Sequence, residues 1–215
     1  MKPVRLLVTA GPTREPIDVV RFLSNRSTGK MGFALAAEAG HRGFDVRLIA
    51  GPVALPTPGG VERIDVTTAG QMCEAVEAHI DWCEVLIMTA AVADWRPVVV
   101  HARKLKKRDT APVLELERTQ DILDRVRHRK EGRFVVGFAA ESDNMVEEAK
   151  RKRDAKDLDL IVANDITEAD AGFESDMNRV VLIPREGPLE TLPLMSKRDV
   201  ARHILNRVEH ALRRV

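Results

Sequence analysis

Short β-rich runs and helical segments take turns along almost the whole chain, and few folds accommodate that rhythm. Runs at 5–9, 45–50, 62–66, 85–89, 134–138 and 158–162 read as strands. Segments at 30–42, 69–82, 120–129, 145–153 and 197–213 read as helices. A parallel pair of strands needs a long crossover, usually helical, so the alternation predicts βαβ units and a mostly parallel sheet covered on both faces. The run "VLIMTAAVA" is apolar throughout, as a central strand buried on both sides would be. With 215 residues, 44% of them apolar, and no internal repeat or low-complexity linker, residues 1–215 read as one domain.

Two regions break the rhythm. Residues 94–118 follow a strand but look irregular, with Pro97, Pro112 and the basic run "RKLKKRD", and they are expected to form a lid over a site. Residues 165–194 contain "FESDMNRVVLIPREGPLETLPL", which predicts two short antiparallel strands around "REGP". Such an extension offers edges for pairing with a second subunit.

Bulk properties exclude several classes. A net charge of +1 supplies no global field for nucleic acid or an acidic membrane. No apolar run is long enough to span a bilayer, and "MKPVRLLVTAG" enters a strand with no secretory segment. Cys73 and Cys83 do not share a helical face, so no disulfide is expected between them and the cytoplasm is the simplest setting.

The stretch "LLVTAGPTREPIDVVRFLSNRSTGKMG" starts as a nucleotide-binding strand running into Gly11, but the helix is delayed to about Gly29. It is not a P-loop, because Met31 follows Gly29–Lys30 where a magnesium-binding hydroxyl belongs. Nor is it a dinucleotide fingerprint, and the second strand ends in "LIAGP" with no acid for a ribose. Ser27, Thr28 and Gly29 precede a helix whose free amides suit an anion; equally, Ser27 or Thr28 simply caps it.

"TAAVADW" ends a buried strand, where open α/β sheets bind ligands, and Asp94 there can accept from a sugar hydroxyl or face a metal; tight packing before a turn explains the same residues. The basic run at 103–108 is either a solvated charge run or the source of one phosphate-binding lysine. Phe138 in "VVGFAAES" either stacks on a base or belongs to the core. Lys152 and Lys156 share a helical face, as a solvated pair or an anion clamp. The six histidines have no metal-ligand spacing, and no nucleophile stands beside a base, so covalent catalysis finds no support.

Together, "TAGPTREPID", "VRFLSNRSTGKMG", "TAAVADW", "KLKK", "VVGFAAES" and "DLIVANDI", in order from Leu6 to Leu212, resemble the phosphopantothenate–cysteine ligases of coenzyme A biosynthesis. With Met1 just ahead of the first strand, the chain resembles the ligase half alone; in many bacteria it is fused behind a flavin-dependent decarboxylase, here a possible separate partner. The resemblance implies a Rossmann-like three-layer α/β fold, a homodimer using the small antiparallel extension, Mg2+, and CTP rather than ATP. It implies that the carboxylate of 4′-phosphopantothenate attacks the α-phosphate of CTP, releasing pyrophosphate. The amine of cysteine then displaces CMP from the acyl-cytidylate.

Roles follow by position. Asn25 matches the asparagine that contacts the activated carbonyl, and Arg21 a residue of the same substrate pocket. Ala90 and Ala91 match the backbone lining the nucleotide, with Ala91 also beside the acyl substrate, and Asp94 an aspartate contacting the nucleotide. Lys104 matches a lid lysine that meets the triphosphate. Gly11, Ser27, Thr28 and Gly29 form the first phosphate-binding stretch, and Gln120, Asp121, Ile122, Leu123, Phe138, Lys152 and Lys156 align with further nucleotide contacts. Gln120 stands where the family usually has proline, and Thr28 where serine is commoner. The alternatives are an NAD(P)-binding reductase and a non-catalytic nucleotide-binding regulatory subunit. A chain with no tyrosine cannot use a tyrosine proton donor, and a pure binder has no need of Asn25.

Overall fold

A computed structural model describes residues 2–106, 113–141, 144–165 and 175–213, with the side chains of Glu141 and Asp165 left aside. Eight strands form one sheet: β1 (Arg5–Ala10), β4 (Asp45–Ala50), β5 (Val61–Asp65), β6 (Val85–Met88), β9 (Phe134–Glu141), β10 (Leu160–Asp165), β11 (Met177–Pro184) and β12 (Glu190–Ser196). Their order is β12-β11-β10-β9-β6-β1-β4-β5, parallel from β10 to β5 and antiparallel at β11 and β12. The expected extension is thus part of the main sheet.

The alternation of side chains decides the layers. Leu6, Val8 and Ala10 of β1 face α1 (Lys30–His41) and α5 (Lys197–Leu212), whereas Leu7 faces the other side. There α2 (Ala69–His79), α3 (Ile122–Val126) and α4 (Met145–Ala155) supply Met72, Val76, Ile122, Val126 and Ala149. The result is the Rossmann-like three-layer arrangement, with two cores divided by the sheet. Cys73 and Cys83 are free and buried. Among the described residues no helix is long and apolar enough to cross a membrane.

Local chemistry explains most boundaries. Thr68 caps α2 by accepting from the Gln71 N–H while the Gln71 side chain answers at the cap, a capping box. Helix α4 runs to Ala155 and closes in a Schellman turn, with Asp157 left-handed at φ 53° and the Leu158 N–H bonded to the Arg153 carbonyl. That turn delays the next strand to Leu160, two residues beyond the expected start. The segment expected as a helix over 120–129 is shorter: Asp121 caps it, and past Val126 it tightens to a 3-10 turn at Arg127–Arg129.

The long first loop is not irregular. It folds into a ribbon of β2 (Arg14–Pro16) and β3 (Phe22–Ser24), and β7 (Trp95–Pro97) pairs with β8 (Leu116–Arg118) beside it. Part of the expected lid, 107–112, lies outside the described residues, as do Ser142 and most of 165–175.

Close approach sets where α1 starts. A Cβ on Gly32 would stand 2.5 Å from the Ala10 Cβ and 2.6 Å from the Thr89 Oγ1, so only glycine lets the helix rest on the end of β1. Gly32→Ala is expected to destabilise the fold by about 1–3 kcal/mol through overpacking, read as a lower urea midpoint with unchanged slope.

Candidate active site

The strand order reverses beside β1: β4 and β5 lie on one side of it, β6 on the other. Loops leave the carboxyl ends of β1 and β6 together at this switch point. They are sewn to each other. The Ala91 N–H donates to the Gly11 carbonyl at 2.9 Å and the Thr13 N–H to the Ala91 carbonyl at 3.3 Å. The buried hydroxyls of Thr9 and Thr13 accept from the N–H groups of Ala90 and Ala93, at 3.2 and 2.9 Å.

Asn25, just past β3, completes the seam. Its Nδ2 donates to the carbonyls of Ala91 at 3.0 Å and Val92 at 3.1 Å. The sequence placed this amide at an acyl centre; here both of its hydrogens are spent on backbone. Ser24 holds the strand before it, its hydroxyl donating to the Thr13 carbonyl at 2.8 Å.

Beyond this seam a cleft of about 960 Å³ opens over the carboxyl ends of β6, β9 and β10, walled by α3 and α4. It takes in Asn25, Ala90, Ala91, Asp94, Gln120, Asp121, Ile122, Leu123, Phe138, Lys152 and Lys156 from the sequence reading. Gly11, Arg21, Ser27, Thr28, Gly29 and Lys104 do not line it. Gly11 and Gly29 instead pack on each other, a Cβ on Gly29 falling 3.3 Å from the Gly11 Cα. The cap of α1 is Gly29 itself, left-handed at φ 78° and without a side-chain cap bond; Ser27 accepts the Gly29 N–H at 3.3 Å but does not cap the helix. The capping explanation for Ser27 and Thr28 therefore fails, because the chain reaches α1 through a conformation that glycine supplies more easily.

One cation of the cleft is fixed by two carboxylates. Lys156 donates to Asp121 at 2.7 Å and to Asp124 at 2.8 Å, tying α4 to α3. Burial alone would lower its pKa, but the hydrogen bonds and charges of Asp121 and Asp124 outweigh that, and the net shift is upward. Arg118 stacks over Trp95 at 5.5 Å, and both line the cleft. Among the described residues no group of three or more His, Cys, Asp or Glu gathers to hold a metal.

Sequence reasoning missed Asp18, Asp124 and Thr119. Thr119 fastens β8 to the seam, its hydroxyl donating to the Ala93 carbonyl at 2.6 Å and its N–H to the Asp94 carbonyl at 3.0 Å. Asp124 had a signal, since Asp121-x-x-Asp124 is the spacing of an N-cap with an acid in the first turn.

The family model described as DNA/pantothenate metabolism flavoprotein C-terminal domain matches residues 1–212. The chain is 48% identical over 204 residues to the "Coenzyme A biosynthesis bifunctional protein CoaBC" of Bacillus subtilis (strain 168), covering 94% of this chain and 50% of that protein. It is 44% identical over 212 residues to the protein of the same name from Escherichia coli (strain K12), covering 97% and 52%. The chain thus spans about half the length of the curated relatives it matches. A crystal structure of the C-terminal domain of a coenzyme A biosynthesis bifunctional protein CoaBC superposes with a TM-score of 0.86 at 42% identity, covering 100% of this chain and 98% of that one.

The triad of Lys156, Asp121 and Asp124 yields a pH-dependent expectation. Lys156→Gln should cost about 1 kcal/mol at pH 7, the scale of a partly exposed pair. A raised lysine contributes below its ordinary value of 10.5 and loses that contribution as pH climbs through its folded value, so variant and wild type should converge in strongly alkaline buffer. Urea midpoints at pH 7 and near pH 11 check this; an equal gap at both would count against it.

Proposed function

We propose that this chain, which belongs to the DNA/pantothenate metabolism flavoprotein C-terminal domain family, is a phosphopantothenate–cysteine ligase. In this reading residues 1–215 form one ligase domain. It joins 4′-phosphopantothenate to cysteine, converts CTP to CMP and pyrophosphate, and works in the cytoplasm. A separate flavin-dependent decarboxylase would take the product; the curated relatives are named as bifunctional proteins of coenzyme A biosynthesis.

The observation that carries the reading is Asn25 bound to the Ala91 and Val92 carbonyls at the mouth of a cleft lined by Lys152, Lys156 and Asp94. A nucleotide fits the cleft with its base near Phe138 and its sugar near Asp94. The uncapped amides of α1, with Ser27, Thr28 and Gly29 before them, suit a phosphate. Lys104 is exposed and, among the described residues, its ammonium has no partner, so it is available to the triphosphate.

The chemistry asks little of a base. A carboxylate is already ionised, and its attack on the α-phosphate needs alignment and charge neutralisation. The cysteine amine then attacks the mixed anhydride, and an amide hydrogen of Asn25 can follow the charge that gathers on the acyl oxygen. Magnesium would arrive with the triphosphate, since Mg2+ commonly keeps several waters and is held by substrate phosphates and one or two carboxylates. Asp94 is the carboxylate best placed to assist, and the metal would supply charge neutralisation at the phosphates.

A homodimer is part of the proposal, on a different face from the antiparallel extension. Val19, Val20 and Phe22 of the β2–β3 ribbon, with Trp95, Val99 and Leu116 of its neighbour, are exposed apolar residues between 44% and 68% accessible. Such a patch suits a second copy. Sedimentation at micromolar concentration should give twice the chain mass, and Val19→Glu should give a monomer; a wild-type monomer would remove the interface.

A pyrophosphate-release assay tests the activity. With phosphopantothenate and CTP the chain should release pyrophosphate, faster than with ATP, and cysteine should then be consumed; a reductase or scaffold would release none. Asn25→Asp should still release pyrophosphate but form product at least about a hundredfold more slowly, the scale of one lost oxyanion donor. Lys104→Gln should slow pyrophosphate release at least about a hundredfold while leaving a measurable residual rate, and unaltered release by that variant would take Lys104 out of the scheme.

A further inference from the structure

Asp18, in the turn joining β2 to β3, has a side chain wholly hidden from solvent and no part in the steps above. Its Oδ1 accepts the backbone N–H groups of Val20 and Arg21, each at 2.8 Å. Its Oδ2 accepts Arg21 Nε at 3.0 Å, Arg21 Nη2 at 2.5 Å and the backbone N–H of Leu105 at 3.0 Å. A hidden carboxylate is costly unless paired and hydrogen-bonded, and this one is fully served. The Arg21 side chain above all, against the opposing effect of burial, holds its pKa well below the usual carboxylate range.

Two of those donors lead to the residues assigned to the two half-reactions. Arg21 Nη2 also donates to the Leu105 carbonyl at 3.2 Å, so both backbone groups of Leu105 are held, one by Asp18 and one by Arg21. The His101 N–H donates to the Ile17 carbonyl at 3.0 Å, aligning the two stretches further. Lys104 is the residue immediately before Leu105, and Asn25 follows Arg21 by four positions along β3. One carboxylate therefore fixes the backbone that carries Lys104 and the strand that presents Asn25.

We propose that Asp18 is a positioning residue that locks the first loop to the 101–106 stretch, so that Lys104 and Asn25 are offered to the same substrate. The proposal rests on the ligase reading for its chemistry, not for its geometry. Asp18 acts on pyrophosphate release through Lys104, without touching the nucleotide.

The test is a double-mutant cycle joined to hydrogen exchange. Asp18→Asn keeps the shape but turns an amide donor toward donors. It should lower kcat for pyrophosphate release about tenfold while the KM for CTP stays within about twofold. In a Lys104→Gln background the same change should cost less than about a further twofold, because its route is already cut. Multiplicative losses, as from general destabilisation, would overturn the proposal. The peptide spanning 101–106 should exchange at least about tenfold faster in Asp18→Asn, and unchanged exchange would overturn it as well. Should that variant not fold, the Leu105 N–H of the wild type decides: protection of about a hundredfold is expected, and none would refute the lock. If the wild type releases no pyrophosphate, the ligase reading fails, and the exchange experiments still decide whether Asp18 holds the stretch.

Discussion

The backbone seam between the loops leaving β1 and β6 is the constraint on which the rest of the site depends. Two chains turn away from adjacent parallel strands, and each leaves N–H and C=O groups that the sheet no longer pairs. Gly11, Thr9, Thr13 and Asn25 meet those of residues 90–93 almost one for one. The alanines at 90, 91 and 93 keep the two loops close enough for it. Gly11 turns with φ 80°, a conformation open to glycine without strain. From the seam the first loop runs into the β2–β3 ribbon and returns to α1.

Charge is arranged by the same economy. The cleft's acids Asp121 and Asp124 are bridged by Lys156, and Asp18 is matched to Arg21 nearby. Fixed cations facing their own counterions stay in place without substrate, so no long lysine flails in the open cleft. An arriving triphosphate would compete for Lys156 against two carboxylates, which favours a highly charged anion over a monophosphate. In the proposed reaction that bias would suit binding of a nucleoside triphosphate and release of the monophosphate.

Much of this was legible in the sequence because parallel sheets announce themselves locally. A continuous apolar run such as "VLIM" in a β-α alternation reads as a strand buried on both faces, and the small residues that follow it line the cleft. What escaped were features fixed by distant partners. The ribbon at 14–24 has three-residue strands too short for a periodic signal. Asp18 reads as a turn residue, because the Leu105 N–H that makes it more is 87 positions away. Ser27 and Thr28 have capping side chains, yet the left-handed Gly29 takes the cap. Gln120, just before the cap of α3, and Lys152, on α4, by contrast lie in the cleft as the resemblance implies.

In the proposed reaction Asn25 would be structural and chemical at once. Both hydrogens of its amide are given to carbonyls, so a hydrogen bond to an acyl oxygen has to be exchanged for one of these. Exchange between neutral partners is nearly even in free energy, because one amide–carbonyl bond replaces another. Toward an oxygen gaining negative charge it is not even, since charge-assisted bonds are roughly twice as strong. The amide would therefore stay on the seam beside the uncharged carbonyl of the mixed anhydride, and move only as that oxygen becomes anionic under attack by the amine. An asparagine held in this way discriminates between ground and transition states through the cost of leaving its backbone partners, which aspartate, with no hydrogen to give either carbonyl, cannot reproduce.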